Sequence, residues 1–459
     1  MSVEPIGILT LLVGLLCLFM GNKATVIAFS TFPVLGAAAA LMFGVTGIQP
    51  AHLFLAFLTI STLSQREKIL PVLITLRPPS PAFWLALFVA YGVFAGYFAP
   101  RLLANATAII PIGTSASPNS DGTVPLGPVS GNFTQAIYLI ADLMTFILIV
   151  SIASTLEGTR NVAIGLMVFS GANVAFGILE MMSPGTPLVD MFAYIHNAPY
   201  AILSDAMVAG MRRVIGSWTE ASAFASATLT AAGFSGTMWV CGRYSKINGI
   251  LFLLSCIMTV RSTSSGGIAG LPVCLGIVYA TSFFRAGGIS GTRASGAVVL
   301  LAPVTLILCA FFLALDQELY KRLYDYIDLT VLTKSTSQSG IERGAWNQYG
   351  ILNFFDSYGL GVGLGTSRTS SLAITLLSNV GVPGIVFFIL FLSTAILFSR
   401  GVPRTETTDI GIAARNGCLC LIVSALISGT TIDLGLHFFI LAGLAFSARK
   451  IKFETHKIA

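Results

Sequence analysis

The chain reads as all-α: a polytopic integral membrane helical bundle of about 13 (12 to 14) transmembrane helices, with a long external loop containing amphipathic helices. Three observations lead there. Of 459 residues, 55% are hydrophobic and only 10% are charged, a balance that a soluble domain of this size does not carry. Apolar stretches long enough for the hydrocarbon layer recur along the whole chain. None is preceded by a cleavable small-residue signal site. Residues 1–459 therefore read as a single polytopic membrane domain.

Taken in order, the spans fall near Ile6 to Met20, Ala24 to Phe43, Ile48 to Leu63, Ala82 to Ala99, Phe133 to Leu156, Val162 to Met182 and Ser222 to Cys241. The remainder run near Ile247 to Val260, Gly267 to Phe284, Gly296 to Leu315, Leu372 to Phe398, Gly417 to Thr430 and Leu434 to Ser447. The eighth and the last two are short for a full crossing, which tilt or kinking would accommodate.

Lys and Arg set the orientation, because cytoplasmic connections retain positive charge. Alternate connections carry Lys23; Arg66, Lys68 and Arg77; Arg160; Arg243 and Lys246; Arg285 and Arg293; Arg400, Arg404 and Arg415; and Arg449, Lys450, Lys452 and Lys457. These are 16 of the 25 cations, which makes that face cytoplasmic and the amino terminus external. The other face keeps nine cations against 13 acids, so the net charge of +6 records topology and implies no nucleic-acid partner. All seven cysteines (Cys17, Cys241, Cys256, Cys274, Cys309, Cys418, Cys420) fall in apolar spans as small hydrophobes. Neither a disulfide nor a metal framework is implied, and no cofactor is expected.

Three sizeable loops face outward. Residues 102–131 are rich in Pro, Gly, Ser, Asn and Thr with Asp121 as their one charge, and read as a flexible or loosely packed lid. Residues 183–221 end in RRVIGSWTEASAFAS. Residues 316–371 lead into the stretch where polar chemistry is most concentrated, ERGAWNQYGILNFFDSYGLGVGLGTSRTSSLAITLLSNVGVPG from Glu342 to Gly384. Loops this long between spans usually carry function.

Arg213, Arg261, Arg343 and Arg368 all fall on the face where cations are disfavoured. A bound anion is the natural cause. The planar guanidinium offers paired donors to phosphate oxygens and stays charged near a low-dielectric boundary. Several of them facing a diphosphate would stabilise charge developing on it without a metal ion.

Three pieces of the last 250 or so residues resemble the superfamily of Wzy-type O-antigen polymerases and O-antigen ligases. RRVIGSWTEASAFA looks like that family's Arg, Gly and polar-then-helix approach, and TVRSTSSGGIAG is similar to its Ser-Arg-small pattern. GLGVGLGTSRTSSLAITLLSNVGVPG resembles its Gly-rich run before a late helix, closest to polymerases of exopolysaccharide repeat units. The ligases typically place a histidine after that run. This chain has Arg368, Thr369, Ser370 and Ser371 there, and its four histidines, His52, His196, His437 and His456, lie elsewhere.

The resemblance implies a glycosyltransferase at the outer leaflet of a bacterial inner membrane. It would join undecaprenyl-diphosphate-linked oligosaccharides within the lipid bilayer, with a chain-length-control copolymerase as a further partner. A hydroxyl on one lipid-linked repeat would attack the anomeric carbon of the growing chain's reducing sugar, and the lipid diphosphate would leave. Such catalysis needs alignment, stabilisation of the leaving group and deprotonation of the hydroxyl.

Each candidate also has a plainer reading. Arg213 and Arg261 could snorkel or pair with an acid. Arg261 nevertheless sits among Ser262, Thr263, Ser264, Ser265, Gly266 and Gly267, small groups that let a ligand reach backbone amides. Arg212 is the weaker of an adjacent pair. Arg368 lies in a turn with Gly361, Gly363 and Gly365 ahead of Ser370 and a helix start suited to anions. The alternative is that the glycines permit a tight return and Ser370 caps the helix.

Arg343 opens a stretch with Ile341, Ala345, Tyr349, Leu352 and Phe355 at helical spacing and Asn347 and Asn353 opposite, an amphipathic helix at the membrane surface. A similar helix runs through Leu319, Leu323, Ile327 and Val331. Glu220 is the candidate base, although Ser217-Trp218-Thr219-Glu220 also fits a capping box that would occupy it. Asp142 and Glu180 fall within spans, where an unpaired charge costs about 2.5 to 3.5 kcal/mol at mid-depth. Asp142 is expected to pair inside the bundle, Glu180 to reach water, and His437 to hydrogen-bond between helices.

The catalytic set is thus Glu220, Arg213, Arg261 and Arg368, and the substrate-binding set Arg212, Ser262, Arg343, Gly363, Gly365 and Ser370. A ligase-type transfer to a final acceptor is the neighbouring reading, and a lipid-linked oligosaccharide flippase is the reading from another class. A carrier would place charge at mid-depth and show repeats or broken helices.

Overall fold

A computed structural model describes residues 2–44, 46–117, 122–198, 207–208, 210–287, 291–397 and 404–447. Arg400, Arg449, Lys450, Lys452 and Lys457 of the expected cytoplasmic face, and Asp121 of the first loop, lie outside the described residues.

The chain runs through α1 (Pro5–Met20), α2 (Asn22–Thr31), α3 (Pro50–Leu63), α4 (Arg66–Thr75), α5 (Pro81–Leu102), α6 (Ser130–Ile152), α7 (Leu156–Met182), α8 (Leu188–Ala193) and α9 (Ala221–Val240). It continues through α10 (Ser245–Arg261), α11 (Ser265–Ala286), α12 (Arg293–Leu315), α13 (Gln317–Ile327), α14 (Gln338–Asp356), α15 (Leu372–Leu392), α16 (Glu406–Ser428) and α17 (Leu436–Ser447). Proline opens α1, α3 and α5, where its missing N–H costs nothing. Ser80, Thr155, Thr292, Asp316, Ser337 and Thr405 each accept an amide of the first turn of the helix they cap. Among the described residues, sheet is confined to short antiparallel ribbons: Ser2–Val3 with Leu41–Phe43 and Thr46–Ile48, Ala108–Ile109 with Val124–Pro125, and Met207–Val208 with Met211–Arg212.

Among the described residues, seven helices are long and apolar enough to cross a membrane: α5, α6, α7, α11, α12, α15 with its extension to Leu397, and α16. Shorter apolar helices are α1, α3 and α17. The molecule is an all-α, multi-pass membrane bundle. Each of the 13 expected stretches contains a helix, but several are not spans by length and apolarity. α2 stops at Thr31, where Pro33 carries the chain into a short 3-10 turn and then the strand Leu41–Phe43. The connection expected around Arg66 to Arg77 contains α4.

α9 is not one of those seven, yet it is the most central helix. It is rich in Ala, Ser, Thr and Gly, which lowers its hydropathy, and nearly every side chain is buried against α7, α10, α11 and α16. Small residues allow that close packing. Its hydroxyls return to the preceding turn, Thr228 to Phe224 O at 2.6 Å and Ser235 to Ala231 O at 2.6 Å. The carbonyls four residues back take these protons, and Thr228 in turn accepts from Asn173 Nδ2 at 2.9 Å.

The two ends of α9 differ in kind. Beyond Val240, Asp409 is fully buried between Arg243 (2.8 Å) and Arg285 (2.6 Å), and Arg160 pairs with Glu406 at 2.6 Å. Those ion pairs tie α7, α11, α16 and the turn after α9 together at one end. The other end opens on the cavity described below, and 20 helical residues separate the two by about 30 Å, the thickness of a hydrocarbon core.

The described part of residues 102–131 is not a loose lid. Ile109, Val124, Leu126 and Val129 form a small core of their own with Val362, and Pro111 bridges to Ser367. The alternation of prolines and small polar residues hid that core.

α15 is broken at Gly381 (φ 56°, ψ −161°), two residues before Pro383. The Gly-rich turn fills the break: Val362 N–H donates to Ser378 O at 2.8 Å, Gly363 N–H to Asn379 O at 3.0 Å, and Val382 N–H to Gly359 O at 2.9 Å. Backbone that leaves the helix inside an apolar bundle must find such partners. A Cβ on Gly381 would lie 2.2 Å from Gly359 O, and one on Gly361 2.7 Å from the Asn379 backbone. Gly381→Val should therefore destabilise the protein by about 3 kcal/mol, through left-handed strain plus overpacking. Thermal unfolding in detergent checks this, with Gly344→Ala, which meets open space, as the variant expected to leave the midpoint unchanged.

Candidate functional site

The segment after α8 is held from several sides. Glu180, buried near the end of α7, accepts the N–H groups of Ile215 (2.8 Å) and Gly216 (2.6 Å). His196 bonds Gly216 O at 2.9 Å, Ser217 Oγ donates to Val34 O at 2.6 Å, and Trp218 Nε1 donates to Asn173 Oδ1 at 2.8 Å. Glu180 does not reach water as expected. Its carboxylate is the anchor of the turn, and Arg212 and Arg261 lie close enough for their charges to act on it.

That turn decides the fate of Glu220. Helix α9 begins at Ala221 and Glu220 is its N-cap residue, with no capping bond from its side chain. Ser217 is committed to Val34, so the capping box does not form. The Glu220 carboxylate accepts a short hydrogen bond from Ser222 Oγ, and Arg343 Nη2 stands 4.0 Å from its other oxygen. Both side chains are about a third exposed, so this is a loose, solvated pair and not a locked bridge.

Arg343 reaches Glu220 because α14 is turned inside out relative to a soluble helix. Ile341 (63%) and Phe355 (67%) are exposed, as suits a helix lying on lipid. The polar side faces the protein: Asn353 donates to Ala108 O at 2.8 Å and accepts from Ser367 Oγ at 2.8 Å, and Asn347 Oδ1 accepts Ser370 N–H at 2.8 Å. The amphipathic surface helix and the inward Arg343 are thus one arrangement. Its neighbour α13 has its apolar residues exposed as well.

Glu220, Arg343 and Arg368 line one cavity of about 610 Å³, with Trp346, Gln135 and Asp433 among the other wall residues. Arg368 is held by its backbone, its N–H donating to Ile110 O at 2.8 Å, while its guanidinium lies 5.3 Å from the Trp346 ring centre. Arg213 does not line the cavity but lies behind it, close enough to Glu220 and Arg343 to feel both charges. Burial lowers its proton affinity, partly offset by Glu220, yet a guanidinium stays charged at any physiological pH. Its Nε is buried with no hydrogen-bond partner among the described residues.

The other expected site residues lie off the cavity. Arg261 Nη1 donates to Arg212 O at 3.2 Å, which places both on the Glu180 side of the turn. Ser262 is fully buried and spends its hydroxyl on Thr259 O at 2.6 Å. Gly363 and Gly365 are packing positions, where a Cβ would meet Ala95 O at 2.8 Å and Gly131 O at 2.4 Å. Ser370 does not cap α15, whose N-cap residue is Ser371. Of the expected meeting of Arg213, Arg261 and Arg368 near Glu220, Arg368 is in the cavity, Arg213 adjoins it, and Arg343 stands where Arg261 was expected.

Sequence reasoning missed Trp346, Gln135 and Asp433. Trp346 follows Arg343 by three residues, a same-face spacing that was there to be read. Asp433 sits in the turn between α16 and α17 and accepts Gly435 N–H at 2.6 Å. Asp142, fully buried on α6, lies close enough for the two carboxyls to act on each other, but among the described residues neither of its oxygens has a hydrogen-bond partner, contrary to the pairing expected of it. Burial pushes the Asp433 carboxyl up. His437 is stacked on Phe169 at 3.9 Å, and among the described residues neither ring nitrogen has a hydrogen-bond partner, contrary to the interhelical bond expected of it.

Glu180→Ala should speed hydrogen exchange at the Ile215 and Gly216 amides by about 10- to 100-fold, the equivalent of losing charge-assisted hydrogen bonds of about 1.5 to 3 kcal/mol. Exchange followed by mass spectrometry would check it, with α16 peptides expected to stay unchanged. Compared with known proteins, the chain matches no family model and no curated protein, so its function is read from the cavity itself.

Proposed function

We propose that the chain is a polysaccharide polymerase: a membrane glycosyltransferase that joins undecaprenyl-diphosphate-linked oligosaccharide repeats at the outer leaflet of a bacterial inner membrane. The observation that carries this is Arg343, Arg368 and Glu220 around one 610 Å³ cavity, backed by the unpartnered Nε of Arg213. Two guanidiniums suit the two phosphates of a leaving diphosphate. A carboxylate beside them, held by no capping bond, suits proton transfer from a hydroxyl. In this reading about 13 helices or half-helices pass the bilayer, residues 102–131, 183–221 and 316–371 form the periplasmic face, and the Asp409 ion-pair end is cytoplasmic. A chain-length-control copolymerase is a further partner.

The reaction balances without a cofactor. The acceptor hydroxyl gives its proton to Glu220 while its oxygen bonds the anomeric carbon of the donor sugar. The bond from that carbon to the phosphate oxygen breaks, and its electron pair leaves on the diphosphate, facing Arg343 and Arg368. Arg213 adds positive potential from behind without direct contact.

One observation favours a carrier, the break in α15 at Gly381. Broken helices in carriers expose their free backbone to a substrate cavity. Here the Gly-rich turn occupies those groups, which supports an enzyme. Transfer to a final acceptor, as a ligase performs it, uses the same cavity chemistry and differs in the product.

Arg343→Ala and Arg368→Ala should each lower polymer formation by about 100-fold at normal expression, the usual cost of removing one donor to a developing anion. Arg368→Lys should recover little of it, because a point charge lacks the paired donors. Deleting the gene and sizing the surface glycan decides the class. Loss of long polymer with one repeat still attached is the expected result. Loss of every repeat from the acceptor would indicate a ligase, and repeats trapped on the inner leaflet a flippase.

A further inference from the structure

Beyond Glu220 the cavity adjoins a side pocket of about 180 Å³, with Glu220, Ala223, Thr430, Thr431 and Asp433 as shared wall. The pocket lies between the first turns of α9, the last turns of α16 and the turn that follows α16. Its wall chemistry is the reverse of the arginine side. Among the described residues it carries six hydroxyls, from Ser222, Ser226, Ser424, Ser428, Thr430 and Thr431, and neither arginine nor lysine. Leu421, Ala425 and Leu434 supply an apolar patch.

Ser424 shows that the pocket is built for a polar guest. It is 1% exposed, and its Oγ has no hydrogen-bond partner among the described residues. A buried hydroxyl left so costs about 1 to 3 kcal/mol until something bonds it. Gln135, 7% exposed and on the wall of the main cavity, has an orphaned Oε1. An anion finds little here, since the donors are neutral hydroxyls and both carboxyls stand at the mouth. Asp433 lies near the buried Asp142 carboxyl, and Glu220 has Arg343 beside it. Hydroxyls that both donate and accept, set against an apolar patch, match the hydroxyl edge and C–H face of a sugar ring.

We propose that this side pocket is the acceptor subsite, holding the terminal monosaccharide of the incoming repeat through Ser424, Ser226 and Thr431, with its reactive hydroxyl at Glu220. The inference rests on the polymerase reading and adds to it a spatial division: diphosphate among the arginines, neutral sugar among the hydroxyls. Ser226→Leu fills the pocket and Thr431→Val removes one hydroxyl at nearly constant volume.

The test measures binding of two probes to the full chain in detergent. One is undecaprenyl diphosphate, and the other is the soluble oligosaccharide released by mild acid from the host's own lipid-linked repeat. Ser226→Leu should weaken oligosaccharide binding by about 10-fold or more, a loss of about 1.4 kcal/mol, while diphosphate affinity stays within about twofold. Unchanged oligosaccharide affinity in Ser226→Leu, or a wild-type chain that binds none, overturns the proposal. Should Ser226→Leu lose both probes through misfolding, Thr431→Val decides: weaker oligosaccharide binding with intact diphosphate binding supports the subsite, and no change refutes it. A wild-type chain that binds the oligosaccharide but not undecaprenyl diphosphate would leave the sugar pocket standing and remove the polymerase reading.

Discussion

Inside an apolar bundle every amide and carbonyl that departs from helical geometry must be bonded by protein, and the form of this cavity follows from where those departures are satisfied. Two of them matter most. The break in α15 is bonded by the turn carrying Gly359, Gly361 and Gly363, and that same turn leads directly to Arg368. The amides of Ile215 and Gly216, ahead of α9, are bonded by Glu180, and that segment carries Arg213 and Glu220. The residues that line the cavity are thus positioned by the repair of interrupted backbone.

The same rule distributes the charges. At the far end of α9, Asp409 is buried with two arginines, and both its carboxylate oxygens are engaged by them. At the cavity end, Glu220 and Arg343 are loosely paired and Arg368 rests on Trp346. Satisfied pairs give rigidity, and unsatisfied ones leave chemistry available. The contrast runs along one helix.

Much of the fold was legible in the sequence, because runs such as those in α5, α6 and α12 are apolar for the length of a crossing. The departures have physical causes. α9 was read as a span, and although its Ser and Thr content keeps it out of the seven long apolar helices, its hydroxyls bond their own helix. α2 was read through Pro33 as if the apolar run alone decided. In the site, Glu220 and Arg368 were legible from their place beside helix starts on the face poor in cations. Arg343 was read both as a substrate-binding candidate and as part of an amphipathic surface helix, and it lines the cavity because the polar side of that helix faces inward. Ser262, Gly363 and Gly365 look like ligand-cradling residues in sequence, and only packing against Thr259, Ala95 and Gly131 shows what occupies them. The approach of Asp433 to Asp142 spans nearly three hundred residues and leaves no local mark.

α12 has a different kind of freedom. Its foot is fixed, with Thr292 Oγ1 donating to Val240 O at 2.6 Å and Ser295 buried beside it, but none of its crossing window is buried by protein. Lipid tails do not discriminate among Leu, Ile, Val and Phe as a packed core does. Evolutionary drift should therefore run quickly along the upper length of this helix, with apolar identity retained and shape forgotten, while the foot and the neighbouring bundle change slowly.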